Sequence, residues 1–405
     1  MLESMNVRVA KITEELYILR LDDDRKRYFE GIWRITEGVT YNSYVLLTRE
    51  GAVVFDTWDV QYADLFVDTL QRVVDLRDVK ILVTHHSEPD HSGAVPKLLE
   101  RRGRELRVLG HPMAGEILKH FYGVRDMNFV PVKDNDLLSV GGYTLRFIHT
   151  PMLHWPDTIM TYIPQLGVLL TCDAFGSFST PEGIFDDELK NMDEYLAATR
   201  EYAVSIVGKY REFIAKAVDK LRGMGVSPRI VAPAHGVVWR TRPEFIIDYY
   251  CRISDGSLLD ARKVLILYCS MYGLKNNIVE ELSKRLRDER YNTVLLKFSY
   301  DEHAPPGRVL GELFDSALVI VITSTYEGGL YPPLMHILDL VKVKVRLPKK
   351  TVGVISYGWT SPRDLFEKAL REAGLDVVDI IDFRGQGTAE IVERILRSVS
   401  RALSS

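Results

Sequence analysis

Thr84-His85-His86-Ser87-Glu88-Pro89-Asp90-His91-Ser92-Gly93 follows the apolar run Ile81-Leu82-Val83, where a buried strand ends and a turn begins. From His86 to His91 it offers two imidazoles and two carboxylates. A protein core does not collect ionisable groups at that density, because each unpaired buried charge costs several kcal/mol or so. A metal cluster compensates that cost. The spacing His86-x-Glu88-x-Asp90-His91 sends alternate residues off the strand end and then turns to present two more. It accounts for half the protein ligands of a two-metal site. His85 has the wrong parity with Glu88 and Asp90, and is read with His111, His120, His149, His303 and His336 as a surface or satisfied core histidine.

A two-metal site needs about three protein ligands per ion and a group bridging ions roughly 3.5–4 Å apart. Three later positions qualify: His154 in Pro151-Met152-Leu153-His154-Trp155-Pro156-Asp157, Asp173 in Leu169-Leu170-Thr171-Cys172-Asp173, and His235 in Ala232-Pro233-Ala234-His235-Gly236. Each follows an apolar or proline-containing stretch, where a rigid scaffold carries catalytic loops. The set is four His, one Glu and two Asp, with no thiolate. That excludes an iron–sulfur cluster and disfavours structural zinc. Three carboxylates suit a high total metal charge, as in a di-iron site. Asp56, in Val54-Phe55-Asp56-Thr57, is as readily a turn residue as a partner of a ligand.

The second half has a different rhythm. Residues 262–268 read as a buried strand, 269–277 as a loop and 278–290 as an amphipathic helix bearing Ile278, Val279, Leu282 and Leu286. Strand, short polar glycine-containing loop and helix together aim backbone N–H groups and a positive dipole end at a phosphate. Strands near 292–298, 317–323, 351–357 and 375–381 then alternate with helices near 307–314, 330–341, 362–373 and 386–402. Such βα repetition predicts a doubly wound parallel sheet of flavodoxin type. Thr323-Ser324-Thr325-Tyr326-Glu327-Gly328-Gly329 and Ser356-Tyr357-Gly358-Trp359-Thr360 follow the third and fourth strands. Hydroxyls, glycine backbone and flat rings are what a flavin ring system needs.

The order His86-x-Glu88-x-Asp90-His91, His154, Asp173, His235 resembles the metallo-β-lactamase fold as it occurs in flavodiiron proteins; hydrolytic relatives usually carry His at the place of Glu88. Ser270-Met271-Tyr272-Gly273 and Ser356-Tyr357-Gly358-Trp359 resemble the FMN loops of the same family, so the likeness spans essentially the whole chain. It implies an α/β protein: a metallo-β-lactamase-like αββα sandwich over residues 1–255, then a flavodoxin-like FMN domain over 262–405. The boundary is expected at Ser254-Asp255-Gly256-Ser257. The family's phosphate loop usually continues with Asn-Thr where this chain has Leu274-Lys275. Lys275 or Asn276 is expected to replace the lost hydroxyl. The implied FMN contacts are Ser270, Met271, Tyr272, Gly273, Leu274, Lys275, Asn276, Ser324, Thr325, Tyr326, Glu327, Gly328, Ser356, Tyr357, Gly358 and Trp359.

The resemblance also implies a division of labour. His86, Glu88 and His154 hold one non-haem iron, Asp90, His91 and His235 the other, and Asp173 bridges. FMN and two irons together store the four electrons that take dioxygen to water, and two suffice to turn two nitric oxide molecules into nitrous oxide. A hydrolase has no use for the flavin, and a mere electron carrier has none for an intact ligand set; both remain the alternatives. Many relatives place a His near the metals in the segment that here reads Arg27-Tyr28-Phe29-Glu30-Gly31, so Tyr28 or Glu30 is expected to face the gas as the catalytic group.

Composition agrees. The chain has 405 residues, room for two or three domains at roughly 150 each. A net charge of −4 suggests no nucleic acid partner. No long apolar span or signal peptide is visible, so no membrane association is expected. Cys172, Cys251 and Cys269 form no CxxC pair, which fits a reducing cytoplasm and an external electron donor, such as rubredoxin, a reductase or a reduced deazaflavin. The run Lys342-Val343-Lys344-Val345-Arg346 reads as a solvated face, or a dock for an acidic donor. A head-to-tail homodimer, or a dimer of such dimers, is the implied assembly.

Overall fold

The computed structural model describes residues 5–273, 276–385 and 387–404. The chain divides into two compact units. The first comprises the chain up to Arg27, Ile35–Ala203 and Tyr210–Ser254, and the second Tyr28–Arg34, Val204–Lys209 and the chain from Asp255. A single cut near residue 255 therefore misses two short excursions into the second unit.

In the first unit a seven-stranded sheet runs in the order Asn6–Lys11, Leu16–Asp23, Val39–Thr48, Gly51–Phe55, Val79–Thr84, Arg107–Gly110 and Asn128–Pro131. Its first four strands pair antiparallel and its last four parallel. A five-stranded sheet runs Leu137–Val140, Tyr143–His149, Ile159–Ile163, Val168–Cys172 and Ile230–Pro233, and its last pair is parallel. Leu46, Val53, Phe55, Ile81 and Val83 of one sheet share a buried cluster with Phe147, Ile159, Val168 and Leu170 of the other. Burial of such side chains contributes about 1.5–3 kcal/mol each, an upper figure for a chain that is partly collapsed when unfolded. Because the space between the sheets is filled, the crossover helices Ala63–Leu70, Val95–Arg102, Met192–Tyr202 and Glu212–Gly223 lie on the outer faces. The helix Met192–Tyr202 starts where the Asn191 side chain accepts the Glu194 N–H at 3.2 Å. This is an αββα sandwich.

The second unit is a parallel sheet in the order Asn292–Ser299, Asp260–Ser270, Ser316–Tyr326, Lys350–Tyr357, Asp376–Arg384. Numbered along the chain that is 2-1-3-4-5, the flavodoxin order, with its ligand crevice where the order reverses. Two strands run further than their patterns suggested. Cys269 and Ser270 stay in the ladder opposite Phe298 and Ser299. Ser324 pairs with Ser356, and Thr325 and Tyr326 pair back onto Leu330 and Gly329. The Lys342–Arg346 run is only in part the solvated face expected of it: Lys342, Val343 and Arg346 are exposed. It ends the helix Pro332–Lys344, Val345 is buried, and Lys344 Nζ lies 5.4 Å from the Trp33 ring centroid, where burial lowers its pKa.

Candidate functional site

Four strands of the first unit deliver ligand-type side chains from their C-terminal ends. Gly51–Phe55 leads to Asp56, Val79–Thr84 to His85 and His86, Val168–Cys172 to Asp173, and Ile230–Pro233 to His235. Parity separates the neighbouring imidazoles. His85 is buried and engaged: its Nδ1 meets Asp56 Oδ2 at 2.7 Å and its Nε2 meets Thr161 Oγ1 at 2.9 Å. His86 faces the other way. Glu88 occupies the cap of the short helix Pro89–Ser92, and Pro89 at its first position suits helical φ without losing a bond. That single turn presents Asp90 and His91. Ser87, between two candidate ligands, gives its N–H and its hydroxyl to Asp157 Oδ2 at 3.0 and 2.6 Å. Ser92 Oγ meets the carbonyls of Ser87 and Glu88 at 2.8 and 2.9 Å. The motif is therefore held from both sides.

The seven side chains converge in two groups about one carboxylate. Asp173 Oδ2 lies 2.8 Å from His86 Nε2 and 3.6 Å from His154 Nε2, and His154 Nε2 lies 3.0 Å from Glu88 Oε2. Asp173 Oδ1 lies 3.0 Å from His91 Nε2 and 3.3 Å from His235 Nε2. Asp90 completes that second group, 3.5 Å from His91 Nε2 and 3.4 Å from His235 Nε2. Within each group the donor atoms fall within 4.8 Å of one another, close enough for one ion. His86 Nε2, both Asp90 carboxylate oxygens and Asp173 Oδ2 are buried and meet only other members of the cluster, none in a hydrogen bond of good geometry. Orphaned polar atoms are rare in interiors and need an explanation. Here they crowd a common centre, as ligand atoms must. The nitrogen and oxygen set suits iron and similar ions.

Residues with no local signature hold the ligands in place. The Thr40 carbonyl takes His235 Nδ1 at 2.6 Å, leaving Nε2 toward the cluster. Tyr202 donates its hydroxyl to Asp173 Oδ1 at 2.9 Å. The Cys172 thiol lies 3.8 Å from His91 Nδ1. Such partners fix ring orientation and tune basicity. Electrostatics follow the geometry. Burial opposes ionisation of Asp173, but the charges of His91 and His86 and hydrogen bonds from the imidazoles hold it well below the usual carboxylate range. Asp90, also opposed by burial, is brought to about 2 by His91 and His235. His235 rises to about 9, since hydrogen bonds to Asp173 and Asp90 outweigh its burial. Burial, reinforced by Asp173, pushes the Tyr202 phenol well above its ordinary value, so Tyr202 keeps its proton.

Tyr28 and Glu30 were expected to face the gas as the catalytic group. They belong to the hairpin Tyr28–Phe29 with Trp33–Arg34, which groups with the second unit. Glu30 Oε2 accepts the Trp33 indole N–H at 3.0 Å, and Tyr28 is exposed. Among the remaining histidines, His149 Nε2 meets the Val132 carbonyl at 2.9 Å and His120 Nδ1 the Glu116 carbonyl at 2.7 Å.

In the second unit the candidate cofactor residues gather at the C-terminal strand ends. Ser270 is buried, and its hydroxyl accepts the Gly273 N–H at 3.1 Å. Gly273 has φ +66°, a conformation that glycine adopts without strain. Asn276 opens the helix Asn276–Asp288, and its N–H bonds the Gly273 carbonyl at 3.0 Å. Leu274 and Lys275 lie outside the described residues. Met271 follows Ser270 directly. Ser324 and Ser356 are buried on adjacent strands; Thr325 and Tyr326 continue one, and Glu327 and Gly328 make its turn at positive φ. Tyr357 ends the other, and the Gly358 carbonyl accepts Arg384 Nε at 2.8 Å. Trp359 and Tyr272 are 73 % and 75 % exposed. So is Tyr300, at 73 %.

Comparison with known proteins agrees with both halves. Residues 39–236 match the ODP family beta lactamase. A nitric oxide reductase of Moorella thermoacetica is 30% identical over 91% of this chain and 90% of its own length. The rubredoxin-oxygen oxidoreductase of Megalodesulfovibrio gigas is 29% identical over 87% of each chain. Among solved structures, a flavo di-iron protein variant from Thermotoga maritima superposes with a TM-score of 0.89 at 30% identity, covering 99% of this chain and 100% of that one. With a relative this similar along nearly its whole length, and with both halves of the fold in place, the chain belongs to the flavodiiron protein family.

Proposed function

We propose that this protein is an oxidoreductase that reduces dioxygen to water, nitric oxide to nitrous oxide, or both, drawing electrons from an external donor through FMN to a non-haem di-iron site. The observation that carries it is the partition about Asp173. One of its oxygens faces His86 and His154, which stand with Glu88; the other faces His91 and His235, which stand with Asp90. The first group would hold one iron, the second the other, and Asp173 would bridge them.

When bound, two irons and a flavin supply electron storage and open positions for a gas. The chain's own residues do the rest. Thr40 sets the tautomer of His235, and Tyr202 fixes the turn of the Asp173 carboxylate while retaining its own proton. Glu30 is engaged by Trp33, so no proton step is assigned to it or to Tyr28. The name of the Megalodesulfovibrio relative supports rubredoxin as one class of donor. Cys172, Cys251 and Cys269 form no disulfide among the described residues, in keeping with a reducing cytoplasm. Among the described residues no helix is long and apolar enough to cross a membrane.

Purified protein is expected to be yellow and to hold about two irons per chain on the two-metal reading. Reduced without air and then exposed to each gas separately, it should show flavin reoxidation with the gas or gases it uses. Stoichiometric zinc, with no activity restored by iron, would overturn the redox reading.

The working unit is a homodimer, alone or paired, in which the flavin of one subunit serves the metals of the other. A two-fold arrangement satisfies both pairs with one self-complementary interface. Mixing a flavin-dead chain (Ser270→Ala with Trp359→Ala) with an iron-dead chain (His91→Ala) should restore activity that neither has alone. Mixed dimers that form yet stay inactive would place transfer within one chain.

A further inference from the structure

We infer that Trp155, backed by Phe121, is the wall that shuts the metal cluster off from water at its most open point and so governs how ions enter and leave it; this rests on the di-iron reading above. The seven ligand-type side chains are unevenly sealed. The side chains of His86, His91, Asp173 and His235 keep 2 % exposure or less, and both Asp90 carboxylate oxygens are buried. Glu88 keeps 14 % and His154 10 %. Water therefore comes nearest to the cluster at Glu88 and His154, and the ring of Trp155 stands there. Its centroid lies 5.3 Å from that of His86 and 6.4 Å from that of His154, with the planes steeply inclined to both.

The indole is held in place by its backbone and by a second ring. The Trp155 carbonyl accepts the Met152 N–H at 2.7 Å and the Thr158 hydroxyl at 2.9 Å, and the Trp155 N–H goes to Thr158 Oγ1 at 3.3 Å. The Phe121 ring meets the indole edge-on, 6.2 Å between centroids and 81° between planes. Phe121 is exposed and lies on the helix Ala114–Tyr122. The next residue ties that helix to the ligand motif. Tyr122 Oη lies 2.8 Å from Ser92 Oγ, which also meets the carbonyls of Ser87 and Glu88. The two rings thus make one apolar cover, with Trp155 half-buried and Phe121 outermost, anchored on the motif that it shields. The indole N–H makes no hydrogen bond among the described residues, so the cover works by ring contacts and area. A hydrated cation cannot cross such a cover without shedding water that no group there replaces. It has to wait until the rings part. Keeping water out also strengthens every charge interaction inside.

The test uses the full-length chain stripped of metal. Entry of cobalt(II) is followed by its visible absorption, and removal by EDTA by the loss of the same bands. Trp155→Ala should speed both entry and removal about tenfold, the scale on which loss of an aromatic contact eases an opening. The affinity for cobalt should stay unchanged, because a wall alters rates whereas a ligand or its support alters the equilibrium. Trp155→Phe keeps a flat apolar ring and should restore slow exchange. Equal rates in Trp155→Ala and wild type overturn the assignment. So does a Trp155→Ala chain that holds cobalt more weakly yet takes it up at the wild-type rate, because Trp155 would then orient the imidazoles and not cover them. Should Trp155→Ala fail to fold, Phe121→Ala decides, since that ring is exposed: faster entry and removal support the wall, and wild-type rates overturn it. Wild-type protein that takes up no cobalt overturns the metal reading itself, a different result from these.

Discussion

Asp173→Ala is expected to abolish gas reduction while leaving the flavin bound. Asp173 is the residue on which both groups of the cluster depend. Its Oδ1 faces His91, His235 and the Tyr202 hydroxyl, and its Oδ2 faces His86 and His154. Removing it would take one negative charge from between the two ions the cluster would hold and leave the two ligand groups without a shared member. Loss of a mere orienting partner costs about 10–100-fold in metal affinity; loss of the shared ligand should cost at least one ion outright. The residues proposed to hold the flavin belong to the other unit and should be unaffected. Asp173→Asn keeps the shape and loses the charge, and should fail in the same way with less disturbance to folding. Iron content, flavin absorbance and turnover measured on one preparation separate these effects. Wild-type turnover in Asp173→Ala would end the ligand assignment.

Gly93→Ala should be the most damaging methyl group that can be added near the site. A Cβ there would lie 2.5 Å from the Pro89 carbonyl oxygen and 2.5 Å from Val60 Cα, with Val60 N closer still. All three are backbone atoms and cannot rotate away. The helix Pro89–Ser92, which carries Asp90 and His91, would have to move relative to the turn at Val60. Overpacking typically costs about 1–3 kcal/mol, and a backbone clash belongs at or above the upper end. The melting temperature and the iron content should therefore fall together. Gly223→Ala is the control: a Cβ at Gly223 meets nothing within 4 Å, so the change should stay within about 0.5 kcal/mol. A Gly93→Ala protein that melts like wild type would show that this backbone can yield.

What was legible in the sequence was carried by local rules. A strand alternates its side chains, so His86 could be separated from His85 by parity with Glu88 and Asp90. The structure gives His85 to Asp56 and Thr161 and turns His86 into the cluster. The same rules put His154, Asp173 and His235 just past apolar stretches, and the structure brings all seven together. The alternation of strand and helix after residue 262 gave the doubly wound sheet, because each βα unit repeats a pattern visible within about 30 residues. Strand ends were less legible. Ser270 and Tyr326 remain in ladders because partners elsewhere hold their backbones, and polar side chains do not announce that.

Tertiary structure alone decided which residues support the site. Thr40 and His235 are 195 positions apart, yet one carbonyl sets the tautomer of that imidazole. Tyr202 reaches Asp173 across 29 positions, and no spacing rule links them. The sequence could not show that the Trp33 indole takes the Glu30 carboxylate within the hairpin of Tyr28, or that the contacts of this hairpin group it with the second unit. Gly93 is needed for space and not for its φ of −61°, which any residue can adopt. The sequence by itself determined the doubly wound fold of the second half and the chemical identity of the candidate ligands, because both follow from periodicities and residue types read a few positions at a time; the sandwich of the first half was implied by the resemblance those ligands carry. The orientation of each ligand, the partners that tune it and the atoms that forbid a methyl group were decided by close packing between segments far apart in the chain.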